Sequence, residues 1–188
     1  MDSKTIVGCL FLAFVIVRLR WPRGKDDREK VNSTREWLTS SLFTFSLLGS
    51  YGLFLGTHHL DAFAFATNPV LQVLGGGFSA VGIVILEWVH RALGTHFSPH
   101  LELRPDHQIV QNGPYFYVRH PMYSCGIVFL SGTGLVAGNW IVLFLPLFFF
   151  VVLLSLRIRD EERMLSERFG ESWSAYVQKT GFLFPKLK

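Results

Sequence analysis

Apolar residues fall into five long runs, at 6–17, 37–60, 70–93, 121–138 and 141–158, separated by short polar or charged segments. A soluble domain would break such runs at helical or strand periodicity, so that one face stayed wet. Crossing a hydrocarbon core takes roughly 20 residues at 1.5 Å each. The pattern therefore predicts an all-α, multi-pass integral membrane protein with about five transmembrane helices. The first run is short and reaches Trp21 only if Arg18 and Arg20 snorkel. In the second, Gly52 and Gly56 at GxxxG spacing predict close helix packing. Pro121 suits the first turn of the fourth helix. Gly138, Asn139 and Trp140 then form a tight uncharged turn, which makes the last two runs a helical hairpin. Helical patterning continues through Phe169, before Gly170.

Charge sets the expected topology. Between Arg18 and Glu36 stand seven basic and four acidic residues with Pro22 and Gly24, the signature of a cytoplasmic loop, whereas 58–69 contains no Lys or Arg and belongs outside. Counting spans gives an outside amino terminus, a retained signal anchor and a cytosolic carboxyl terminus. The chain divides into 1–93, three helices with the basic loop 18–36, and 94–188. The second part holds a polar loop at 94–120, the hairpin 121–158 and a cytosolic segment 159–188. Hydrophobic residues make up 49% of the 188 and charged ones 17%, a membrane composition. The net charge of +4 follows from basic residues at the edges of apolar runs, so nucleic acid is not an expected partner. Cys9 and Cys125 are too few and too far apart for a disulfide framework. The Phe-Pro-Lys-Leu-Lys terminus carries no lipidation motif.

One polar, aromatic island interrupts this pattern, at 107–123, with His107 at its start and Arg119-His120-Pro121 near its end. Loops that carry function are held by a rigid scaffold. Several of its residues, and others near the ends of helices, have more than one reading. Glu161 and Glu162, within Arg-x-Arg-Asp-Glu-Glu-Arg, fit an interfacial salt-bridge run as well as a site. His120 suits a helix N-cap and His107 a surface position. Glu87, His90 and Arg91 share a helix face as either a satisfied ion pair or the wall of a polar site. Gly75-Gly-Gly77 resembles a dinucleotide fingerprint but lies in an apolar run without a preceding strand, so helix packing is the expected role. His96 and His100 have i, i+4 spacing, but Pro99 disturbs that helix and no second ligand box completes it, so no catalytic metal is expected.

His107-x-Ile-Val-x-x-Gly113-Pro-Tyr115, then Arg119-His120-Pro121-x-Tyr123, Glu161-Glu162, Phe169-Gly170 with Tyr176, and a final Gly-Phe-Leu-Phe-Pro follow one another in an order that resembles the isoprenylcysteine carboxyl methyltransferase family. The resemblance covers residues 90–188. It implies an S-adenosylmethionine-dependent enzyme with a cytosol-facing cofactor pocket and a lipid-linked, prenylated substrate arriving from the bilayer. By matching positions, His107, Val110, Gly113, Tyr115, His120, Pro121 and Glu162 would contact the cofactor, with Glu161 beside them.

Elementary chemistry is compatible with that assignment. A helix opened by Pro121 offers backbone N–H groups to a methionyl carboxylate, and Glu161 or Glu162 could take its ammonium. Gly113 permits close backbone approach. Tyr115 and Tyr123 can pack on adenine or face a sulfonium. Arg119 suits a substrate carboxylate, a phosphate headgroup or a membrane phosphate alike. Arg119, Glu161 and Glu87 are thus the candidates for catalysis. Carboxyl methylation needs no strong base, because the acceptor is already ionised near neutral pH. A phospholipid N-methyltransferase would need an acidic proton acceptor, for which Glu87 or the freer of Glu161 and Glu162 stands ready. A sterol-reductase-like NADPH enzyme and a non-enzymatic membrane scaffold are the remaining alternatives.

Overall fold

The structure is a computed structural model and describes residues 2–21, 34–94 and 109–186. Each of the five apolar runs is a helix: α1 (Ser3–Arg20), α2 (Thr34–Gly56), α3 (Pro69–Leu93), α4 (Pro121–Ala137) and α5 (Trp140–Phe169), followed by the short α6 (Glu171–Lys179). No strand occurs among the described residues, which carry only two isolated β-bridges. By length and composition, α2 from Trp37, α3 and α5 can cross a membrane, while α4 is a shorter apolar helix. The 18 residues of α1 include Lys4, Arg18 and Arg20 at its two ends. The second run ends as a helix at Gly56, because 58–63 folds into turns in which Asp61 N–H donates to His58 O and the His58 ring pairs with Asp61. There is no break at 158: α5 continues to Phe169, and its 30 residues extend about 45 Å. A hydrocarbon core is about 30 Å thick, so the charged turns from Arg157 onward project beyond it.

The bundle is built around the crossing of α3 and α4. A methyl on Gly75 would lie 2.7 Å from Gly132 O, and one on Gly82 would lie 2.9 Å from Phe129 Cβ. On the facing helix, a methyl on Gly132 would lie 2.5 Å from both Gly75 O and Ser79 Oγ. Small residues on both helices thus let backbone meet backbone, the arrangement that gives helices attraction in lipid. Gly75 has the packing role expected of it. The GxxxG pair of α2 does not: among the described residues nothing lies within 4 Å of a methyl built on Gly52 or Gly56. That pair faces away from the bundle, so the packing assigned to it belongs to α3 and α4.

Contacts between elements establish which ends lie together. At one end Lys4 Nζ donates to Thr57 O at 2.7 Å, and Phe65 N–H donates to Gly138 O at 2.8 Å. Asn139 Oδ1 accepts from Ile141 and Val142 N–H, capping α5, while its amide donates to Leu60 O at 2.7 Å. Val7, Tyr51, Phe54, Leu60, Val136 and Val142 form a core beside this junction. At the other end are Trp21, the end of α3, the 113–120 segment and the projecting turns of α5. Asn139 is fully buried and serves three partners, so Asn139→Ala should cost about 2–3 kcal/mol, a lost cap plus an orphaned carbonyl. Thermal unfolding in detergent would register this as a clear fall in Tm.

Candidate functional site

Residues 109–120 run across the end of the bundle and enter α4. Gly113 has φ +58°, and a methyl there would lie 3.0 Å from Ala92 Cβ and 3.2 Å from Trp88 Nε1. Gly113 therefore packs the segment onto the last turns of α3, and the following Gly113–Phe116 forms a single 3-10 turn. Val110 is half-buried just before it. Tyr115 is largely buried, and its backbone carbonyl accepts from Tyr176 OH of α6 at 2.6 Å. Burial pushes the Tyr115 phenol well above its ordinary value, with the charge of Glu161 adding to the effect. Burial likewise pushes Tyr176 up to about 12. Both phenols are fixed as neutral groups.

His120 occupies the N-cap position of α4, but its side chain does not cap the helix. Its Nε2 lies 2.9 Å from Glu162 Oε1, and the same oxygen accepts from Arg119 Nε at 2.9 Å. His120 Nδ1 stands 4.0 Å from Glu161 Oε2, which in turn accepts from Tyr123 OH at 3.1 Å. Glu161 and Glu162 thus reach across from α5 to the start of α4, rather than serving only a salt-bridge run along their own helix. Along α5 Arg163 pairs with Asp160 and Glu167. Glu162 lies in the turns that project beyond the apolar span. Its bond to His120, with Arg119 adding, holds its carboxyl below the usual carboxylate range, against the opposing effect of burial.

The arrangement is acidic, aromatic and partly sheltered. His120 is 4% exposed and Pro121 less than 2%, whereas the Glu161 and Glu162 side chains retain 33% and 27%. Two carboxylates therefore share one basic cluster. Glu162 is committed to Arg119 and His120, and Glu161 is the more accessible of the two. The helix start offers fewer donors than a bare N-terminus: His120 N–H donates to Phe182 O, and Tyr123 and Ser124 N–H both donate to His120 O. Pro121 has no N–H, which leaves Met122 as the amide of that first turn for which no backbone acceptor is described.

Of the sequence-derived candidates, Arg119, His120, Pro121, Glu161 and Glu162 come together in one cluster, with Tyr115 and Gly113 in the segment that leads into it. His107 lies outside the described residues, as do His96 and His100. Glu87 has other partners: its carboxylate accepts from Trp21 Nε1 and Arg91 Nε, each at 2.9 Å. That is the ion-pair reading of the Glu87 face, and it joins the end of α1 to α3. His90 is fully buried, stacked on Trp21 with ring centroids 6.2 Å apart. Sequence reasoning missed Phe182, whose ring lies against both Arg119, at 5.5 Å from the guanidinium carbon, and His120, at 5.2 Å between centroids. The terminal Gly-Phe-Leu-Phe-Pro was its only signal.

Comparison with known proteins bears on this cluster directly. The model of the isoprenylcysteine carboxyl methyltransferase (ICMT) family matches residues 76–167, a stretch that contains Arg119, His120, Glu161 and Glu162. Protein-S-isoprenylcysteine O-methyltransferase of Schizosaccharomyces pombe is 34% identical over 116 residues, 58% of this chain and 48% of that protein. Cobalt-zinc-cadmium resistance protein CzcN of Cupriavidus metallidurans is 31% identical over 84 residues, 45% of this chain and 38% of that protein. The chain spans half or less of the length of the curated relatives it matches. The solved structure of a eukaryotic intramembrane Ras methyltransferase ICMT superposes with a TM-score of 0.61 at 23% identity, covering 82% of this chain and 54% of that one, which shows a shared fold. With the matched stretch running from α3 through both sides of the Arg119–His120–Glu162 cluster, the family model, the relatives and the shared fold together support the isoprenylcysteine carboxyl methyltransferase family for this chain.

Proposed function

We propose that the chain is a membrane methyltransferase that uses S-adenosylmethionine to methylate a lipid-linked acceptor, the carboxylate of an isoprenylcysteine-type substrate. The observation that carries the reading is the meeting of His120 and Arg119 with Glu162, which brings the 109–120 segment and the projecting end of α5 into one site within the family-matched region. The residues present fit the cofactor. It carries an ammonium, a carboxylate, a sulfonium and an adenine, and the cluster offers an accessible carboxylate in Glu161, an N–H at the start of α4, and the aromatic residues Tyr115 and Tyr123. When bound, S-adenosylmethionine supplies a methyl group activated by the positive sulfur.

The chain's own part is to bind and orient. Glu161, oriented by Tyr123 OH, would hold the cationic end. Glu162 keeps His120 fixed at the mouth of α4, and Tyr115, a buried neutral phenol, adds apolar wall without adding charge. Val110, Gly113 and Pro121 shape the backbone of the pocket. An acceptor carboxylate is ionised near neutral pH, so rate comes from alignment and the exclusion of water rather than from a strong base. The same reading places this end of the bundle on the cytosolic side, with five spans and an outside amino terminus, because the basic segment between α1 and α2 leads off from it.

The test is transfer from methyl-labelled S-adenosylmethionine to a farnesylated cysteine analogue in detergent or liposomes. Base-labile label on the analogue is the expected result. Base-stable label on aminophospholipid would replace the acceptor with an amine headgroup, and no label on either, from folded protein, would refute methyl transfer.

A further inference from the structure

Residues 180–185 follow α6 and lie alongside 117–124. The two run parallel and are joined by backbone bonds. Arg119 N–H donates to Gly181 O at 2.9 Å, Gly181 N–H to Tyr117 O at 2.9 Å, and His120 N–H to Phe182 O at 3.2 Å. Side chains add to this. Ser124 Oγ donates to Leu183 O at 2.5 Å, and Arg119 Nη1 donates to Thr180 O at 3.0 Å and Val177 O at 3.4 Å. The guanidinium of Arg119, 10% exposed, therefore bonds Glu162 through Nε and the carbonyls at the end of α6 through Nη1. A lysine ammonium lacks the rigid fork that serves two directions at once. Gly181 has no room for a side chain, since a methyl there would lie 1.8 Å from Phe184 O in the turn that folds the strap back.

We propose that the 180–185 strap is a positioning element of the site and that Arg119 is the residue that locks it. Arg119 acts on the strap and on Glu162 rather than on the substrate. Strap closure and the setting of His120 are then one event, because the amide of His120 bonds Phe182 O and its ring packs edge-to-face with the Phe182 ring. This rests on the cofactor reading above for its functional consequence: a closed strap presents a pre-set His120–Glu162 pair, and cofactor binding favours closure in return.

Hydrogen exchange read by mass spectrometry on the full chain in detergent separates the two ideas. Without ligand, Arg119→Lys and Gly181→Ala should each speed exchange in both 117–121 and 180–184 while leaving 125–137 as in the wild type. Faster exchange in the strap alone would overturn the coupling, as would wild-type protection throughout in Arg119→Lys. S-adenosylhomocysteine should slow exchange of the wild-type strap, and unchanged strap exchange at saturating ligand would overturn the link to binding. Failure of the wild type to bind that probe at all would instead refute the cofactor reading, with the ligand-free exchange still testing the coupling. In turnover, Arg119→Lys should raise KM for S-adenosylmethionine about tenfold, the equivalent of one charge-assisted hydrogen bond, with a smaller change in kcat. A fall in kcat at unchanged KM would return Arg119 to the substrate.

Discussion

Glu162→Ala abolishes binding of S-adenosylhomocysteine while the helical bundle stays folded; this is the expected outcome of calorimetry paired with circular dichroism. One oxygen of Glu162 accepts from both Arg119 and His120, so a single truncation leaves two donors without their shared acceptor. Removing a partner from a charge-assisted bond costs about 2–3 kcal/mol locally, and the loss falls at the junction of loop, α4 and α5 rather than in the bundle core. Affinity should drop by more than about 30-fold on that figure. His120→Ala should behave alike, and retained affinity in both variants would refute the site. The pH dependence has a defined sign. A carboxyl depressed in the folded state contributes stability that is fully present above its unfolded value and is lost as pH falls through its folded value. The junction should therefore persist through the usual carboxylate range and open only below it.

Gly132→Val should prevent recovery of folded protein. Its first added carbon would lie 2.5–2.6 Å from Gly75 O, Ser79 Oγ and Ser79 N, two of them backbone atoms of α3 that cannot swing aside. Overpacking a core costs about 1–3 kcal/mol when side chains can yield, and more where they cannot. Gly52→Ala is the matched control. With open space around it, the added methyl should be neutral or should stabilise α2 by up to about 1 kcal/mol through helix propensity. Comparing monodisperse yield and Tm of the two variants checks both arms. Loss of fold in Gly52→Ala would mean that a face of α2 open here is used in the membrane.

These contrasts mark where the sequence could be read and where it could not. Helix positions were legible because run length, Pro121, Asn139 and Gly170 act locally: each is an apolar span, a start or a stop that needs no distant partner. The meeting of the 107–123 island with Glu161 and Glu162 was legible through the resemblance, since opposite charges in a sheltered place require one another. Which glycines carry the packing was not. GxxxG spacing marks a face but not the direction it points, so Gly52 and Gly56 were expected to pack while Gly132 carried no signal. Glu87 was half legible: Arg91 lies one turn away, but Trp21 arrives from another helix. The bonds of Arg119 to Val177 O and Thr180 O left no trace, because every residue has a carbonyl and only the fold says which one is near.

The length of α4 has a consequence for where chemistry takes place. Its 17 residues extend about 25 Å, some 5 Å less than the hydrocarbon thickness of a bilayer. If the turn at Gly138 sits at one edge of the hydrocarbon, the backbone of His120 at the opposite end of the helix lies just short of the other edge, and its ring meets the Glu162 side chain that reaches back from the projecting turns of α5. The bilayer surface must dip there, or the protein must keep a water-lined recess at that depth. Either way water reaches the start of α4 at a depth where apolar chains also lie. On the proposed function, a substrate carboxylate attached to a membrane-buried chain would reach that depth without its first isoprene unit being drawn into water.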